Sequence, residues 1–92
     1  MARLRTSKRF DSAYRRLDPI IRKQVTAALE KFVENPSRPG LNFEPIVGRP
    51  GCYSIRASRG YRILLLRDCD EDGEIFTASH VGPHDIYRRL KL

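Results

Sequence analysis

Apolar residues recur along this chain with two different periods, and the change of period divides it. Phe10, Ala13, Tyr14 and Leu17 fall at i, i+3, i+4 and i+7, one face of a helix. Ser7, just before them, is a good N-cap. Asp18-Pro19 restarts the chain, with Asp18 as a second cap and Pro19 at the first helical position, where its missing N–H costs nothing. Ile21, Val25, Ala28, Leu29 and Phe32 then form a second stripe. Asn35-Pro36 ends it, so the second helix is predicted to run to about Glu34. The two helices make an αα-hairpin that cannot bury its own apolar stripe. Ahead of them, residues 2–6 alternate weakly around Leu4 and predict a short strand.

Pro36, Pro39, Gly40, Gly48 and Pro50 mark residues 36–51 as a connection, with a short extended piece around Leu41 to Ile46. After it the period becomes two. Tyr53, Ile55 and Ala57 alternate with Ser54 and Arg56, and Ser58-Arg59-Gly60 is a turn. Residues 61–67 hold Ile63, Leu64, Leu65 and Leu66 in a row, the pattern of a central strand covered on both faces. Asp70 to Gly73 is turn-like, and residues 74–81 form the last strand. Gly82-Pro83 is expected to break that strand, unless the strand lies at an edge there, and to turn His84 toward the open face of the sheet. The predicted fold class is α+β, ordered β-α-α-β-β-β: a small antiparallel sheet with the helical hairpin packed on one face. Short connections make the last three strands a meander. No internal repeat interrupts this order, and residues 1–92 read as a single domain.

Composition narrows the function. At 92 residues and 40% hydrophobic, the chain has enough apolar content for one small core. No apolar run approaches the roughly 20 residues that span a bilayer, and no apolar h-region follows the basic N-terminus, so a cytoplasmic protein without a membrane partner is expected. The net charge is +7, from 18 Lys plus Arg against 11 Asp plus Glu, and arginine dominates. Arginine suits bidentate contact with phosphate or carboxylate, so an anionic partner is favoured over a generic basic domain. Cys52 and Cys69 form no CxxC pair and are expected as two reduced, structural thiols.

Candidate chemistry gathers in the second half of the chain. Arg56 and Arg62 interrupt strands that are otherwise apolar or small, and Arg59 lies in the turn between them. If the register allows, Arg56 and Arg62 share a face and form a phosphate site; the bland alternative is charge that keeps the sheet hydrated. His80 and His84 are four apart, but Gly82-Pro83 between them removes the helical spacing of a metal pair. No third ligand is visible, so no metal and no cofactor are expected. His80, inside a strand, reads as a hydrogen-bonded structural histidine. His84 is expected to be exposed, and an imidazole titrating near neutrality is a natural general acid or base. Tyr87, beside Arg88 and Arg89, suits stacking on a nucleobase, against the plainer role of docking the tail with Ile86 and Leu90.

The stretches YSIRASRGYRILLLRD and EIFTASHVGPHDIYRRL, behind a helical hairpin, resemble the RelE/ParE toxin superfamily of type II toxin–antitoxin systems over nearly the whole chain. The resemblance implies a RelE-type mRNA endoribonuclease acting in the ribosomal A site. In that reaction a ribose 2′-OH attacks its own neighbouring phosphate without a metal. It implies a cognate antitoxin as partner, mRNA and the ribosome as target, and DNA contact only through the antitoxin complex. By position, Arg62 matches the phosphate-holding arginine, Arg56 a basic residue on the neighbouring strand, His84 an acid or base, and Tyr87 an aromatic residue that meets the substrate. Arg59, Ser54, His80, Arg88 and Arg89 are the further RNA-binding candidates. Ser54 departs from the pattern, since a lysine stands there in some active members, and the stretch after Gly82 is shorter than in those members. ParE-type members share the fold but poison DNA gyrase, and a non-catalytic basic RNA-binding module is a third reading.

Overall fold

In a computed structural model of the chain, residues 1–83 and residue 86 are described. The elements run β1 (Leu4–Thr6), α1 (Lys8–Arg15), α2 (Pro19–Glu34), β2 (Glu44–Pro45), β3 (Cys52–Arg56), β4 (Tyr61–Asp70) and β5 (Gly73–Pro83). Both expected caps form. The Ser7 hydroxyl accepts from the Phe10 N–H at 3.1 Å, and Asp18 Oδ1 accepts from the N–H groups of Ile20 and Ile21 at 3.0 and 3.1 Å. Each satisfies backbone donors that a helix start leaves open.

The strands form one sheet in the order β1-β5-β4-β3-β2. β3, β4 and β5 are the expected antiparallel meander, while β1 joins β5 in parallel, Leu4 to Thr6 against Phe76 to Ala78. β2 is a two-residue strand inside the extended piece expected between Leu41 and Ile46, paired with Tyr53 and Ser54. β4 and β5 run longer than their apolar cores. Asp70 still pairs with Gly73, and the hairpin loop is only Glu71-Asp72, with Gly73 at φ 110° completing the turn. Ion pairs hold this polar end of the sheet: Arg3 with Asp70, Arg5 with Asp68 at 3.3 Å, and Arg67 with Glu74 at 3.4 Å. The hydrogen bond from Arg3, and then that from the Asp72 N–H, hold the Asp70 carboxyl below its usual range.

The helices bury their stripe on one face of the sheet. Phe10, Val25, Ala28 and Phe32 meet Ile55, Ile63, Leu65, Phe76, Ala78 and Val81 in one cluster. Phe32 packs edge-on to both Phe76 and Phe43, at 5.1 and 5.2 Å between ring centroids, which locks α2 to the sheet. Of the apolar run expected to be covered on both faces, Leu64 lies outside this cluster and is 2% exposed, whereas Leu66 on the same face is 41% exposed, so the cover is partial.

Gly82-Pro83 does not break the last strand, because the edge exception to the expected break applies. β5 continues through Pro83, which pairs with Tyr61. The physical reason is that β1 lines β5 only from Phe76 to Ala78. Beyond that point β5 has β4 on one side and no described strand on the other, and a proline is tolerated at an edge. Cys52 and Cys69 are both free. No described helix is long and apolar enough to cross a membrane.

Candidate functional site

The face of the sheet turned away from the helices carries the candidate chemistry, and strand register shows how. Ile55 and Ile63 are paired and face the helices, so their neighbours Arg56 and Arg62 face the other way. Arg56 and Arg62 are themselves direct cross-strand partners, and Arg62 in turn pairs with Gly82. One row further along, Ser54 pairs with Leu64, and Leu64 with His80. The structure therefore brings Arg56, Arg62, Ser54 and His80 onto two adjacent rows of one face. Two like charges directly opposite each other destabilise a sheet. A pair kept at that cost points to an anion that uses both.

Arg62 is held in place. Its Nη1 donates to the carbonyl oxygens of Ser58 and Tyr61, both at 3.1 Å, so the β3–β4 turn orients the guanidinium. Arg59 lies in that same turn and is exposed.

His80 reaches this face through an irregularity. Phe76 and Ala78 face the helices, and so does Val81, which breaks the alternation. The register skips Ser79: Leu65 pairs with Ala78, and Leu64 with His80. Ser79 is thus the extra residue of a β-bulge, and it shifts His80 and Gly82 to the open face. The buried Ser79 hydroxyl lies 3.3 Å from the Leu64 carbonyl oxygen, to which it donates, and 3.0 Å from His80 Nδ1. Arg9 Nη1, from α1, lies 3.2 Å from His80 Nε2. A guanidinium can only donate, so Nε2 accepts and Nδ1 carries the proton toward Ser79. Burial pushes the His80 imidazole below the ordinary histidine value of 6.5, and the nearby Arg9 charge adds to this. The ring is neutral near pH 7.

Past the strand, Ile86 is buried and sits on Gly82: a Cβ added to Gly82 would lie 2.6 Å from Ile86 Cδ1. The chain therefore docks on the open face at this point, and that face is not wholly free. His84, Tyr87, Arg88 and Arg89 lie outside the described residues. Sequence reasoning missed Arg9 and Ser79. Nothing local marks Arg9, since its partner is 71 residues away. Ser79 keeps the alternation that starts at Phe76, and the break shows only one step later, where a strict period would turn His80 inward and Val81 outward. A wide surface depression of about 970 Å³, between residues 45–51 and Arg67 to Cys69, lies toward the other end of β3 and β4.

No protein-family model and no curated protein matches the chain. Solved structures do. A YoeB/ParE toxin from Agrobacterium tumefaciens superimposes with a TM-score of 0.71 at 16% identity, over 89% of this chain and 98% of the other. The isolated E. coli RelE toxin gives 0.67 at 22% identity, over 99% and 96%. The intact E. coli RelBE toxin–antitoxin complex gives 0.66 at 26% identity, over 89% and 95%. The chain has the RelE/ParE-type toxin fold.

Proposed function

We propose that this chain is the toxin of a type II toxin–antitoxin system and that it acts as an mRNA endoribonuclease in the ribosomal A site. The observation that carries the reading is the direct pairing of Arg56 with Arg62 on the open face, one row from His80, within this fold. The reaction needs a phosphate held while negative charge grows on it, which is what two converging guanidiniums supply. The 2′-oxygen of one nucleotide bonds to its own neighbouring phosphorus while the P–O5′ bond breaks. A base takes the 2′-OH proton and an acid gives one to the departing O5′, leaving a 2′,3′-cyclic phosphate and a 5′-hydroxyl. Arg62 and Arg56 hold the phosphate. His84 and Tyr87 are the acid–base and substrate-contacting groups, and His80 takes the acid–base role if His84 does not. Ser54, Arg59, Arg88 and Arg89 contact flanking RNA. A cognate antitoxin covers the basic face with acidic side chains and apolar anchors.

The rival is a ParE-like gyrase inhibitor. Ser54 favours it, because that position of the arginine face carries neither a cation nor a proton-transfer group. Purified protein with ribosomes and a reporter mRNA, beside a gyrase supercoiling assay, separates the two. Cleavage that disappears in Arg62→Ala and drops roughly 10²-fold in His84→Gln is expected. Inhibition of supercoiling without cleavage refutes the nuclease.

A further inference from the structure

A groove behind the β3–β4 turn separates that turn from α2. It holds about 250 Å³ and its walls carry Lys31 from α2, Arg56 at the end of β3 and Arg59 from the turn, with Gln24 at the side. Small residues also line it, Ala28 and Gly40 among them, so space remains where larger side chains would fill it. Among the described residues, no acidic side chain lines it. Among those residues too, the side chains of Lys31, Arg56 and Arg59 have no hydrogen bond or ion pair. The cations at the far end of the sheet, Arg3, Arg5 and Arg67, are by contrast each matched by an acid. A concave site with three unmatched cations focuses positive potential and suits an anion.

The groove is continuous with the arginine pair. Arg56 joins the two, since its side chain lies with Arg62 on the open face while the residue itself also lines the groove. Ser58, whose carbonyl holds Arg62, lines the groove from the other side of the same turn. We propose that this groove is a second phosphate subsite, in which Lys31 and Arg59 hold the backbone phosphate of a nucleotide flanking the one held by Arg56 and Arg62. The inference rests on the reading of the chain as an RNA-binding toxin. A single-stranded RNA leaving the Arg56 and Arg62 site across the β3–β4 turn meets these two cations next. An acidic side chain of a partner protein has the same charge but does not explain why the groove and the sheet site share Arg56.

The test measures binding of short RNAs of increasing length, with 2′-deoxy nucleotides to block cleavage, to the full chain at several salt concentrations. Affinity of the wild type is expected to step up when the RNA becomes long enough to reach the groove. In Lys31→Gln/Arg59→Gln that step disappears, affinity for the longer RNAs falls roughly tenfold or more, and the salt slope becomes shallower by about 0.7 to 1. Lys31→Arg/Arg59→Lys, which keeps the charge, retains the step, and matched melting temperatures exclude a folding defect. A wild type that binds no RNA overturns the RNA-cleaving reading and the subsite with it. A wild type that binds RNA while the double Gln variant keeps the length step overturns the subsite alone. So does a variant whose only defect is in antitoxin binding.

Discussion

Replacing Arg56 by glutamine should make the protein more stable and less active at the same time. Arg56 and Arg62 are direct cross-strand partners. Their Cβ atoms are therefore about 4.5–5.5 Å apart, where a like-charge pair costs roughly 0.2–1 kcal/mol. Arg62 repays part of its cost through two hydrogen bonds to backbone carbonyls, whereas among the described residues the Arg56 side chain makes none. Arg56→Gln thus removes the repulsion and forfeits no described bond. For a domain of this size 1 kcal/mol moves the melting temperature by about 4–8 °C, so a rise of roughly 1–8 °C is expected at low salt. The rise should shrink in 1 M NaCl, where the screening length is only about 3 Å. Cleavage should fall roughly 10- to 150-fold, the worth of one hydrogen bond to a charged phosphate. Thermal melts at two salt concentrations and single-turnover cleavage measure both effects. A melting temperature that falls, or cleavage that is unchanged, refutes the argument that this pair is kept for an anion at the expense of the sheet.

The contact of Ile86 with Gly82 makes Gly82→Ala an overpacking change, expected to cost about 1–3 kcal/mol, with the cost largely relieved in the Gly82→Ala/Ile86→Ala double variant; a double-mutant cycle of chemical denaturation checks it. His80 titrates below 6.5 when folded, chiefly through burial and then through Arg9, so the unfolded chain binds its proton first. Its contribution to stability is complete above pH 6.5 and is lost as pH falls from there through the folded value. His80→Gln should flatten the drop in melting temperature over that range, and Arg9→Gln should raise the imidazole pKa seen by NMR titration. Ser79→Ala leaves His80 Nδ1 without its partner and should cost about 1–3 kcal/mol by denaturant melts while the strand pairing, read by circular dichroism, stays intact.

The helices were legible because their signals are local. Ser7 and Asp18 cap them, Pro19 opens the second, and the stripe through Val25, Ala28 and Phe32 has one period throughout. The meander was legible for the same reason, and the pairing of Arg56 with Arg62 follows once the turn at Ser58 to Gly60 closes tightly. What sequence reasoning missed depends on long-range geometry. The parallel pairing of β1 joins distant parts of the chain, Leu4 with Phe76. The polar ends of β4 and β5 carry no apolar alternation, and they stay paired because Arg3, Arg5 and Arg67 offset their acids. Whether Pro83 ends the strand stayed open in the sequence because its tolerance depends on where β1 stops.

The bulge at Ser79 links sequence to site most directly. With a strict two-residue alternation from Phe76 and Ala78, His80 and Gly82 would point into the helix-covered core and Val81 would point out. An imidazole would then replace a valine opposite Ile63, which loses apolar burial and strands a ring that needs hydrogen bonds. One extra residue reverses all three. Val81 fills the core beside Ile63, His80 comes to the row beside the arginines, and Gly82, with no side chain of its own, leaves room opposite Arg62 for Ile86 to settle. The cost of the bulge is a locally broken ladder, and the Ser79 hydroxyl offsets it by bonding both the Leu64 carbonyl and His80. The same serine that lets the strand change face also fixes the orientation of the histidine it brings there, so core packing and site geometry depend on a single residue.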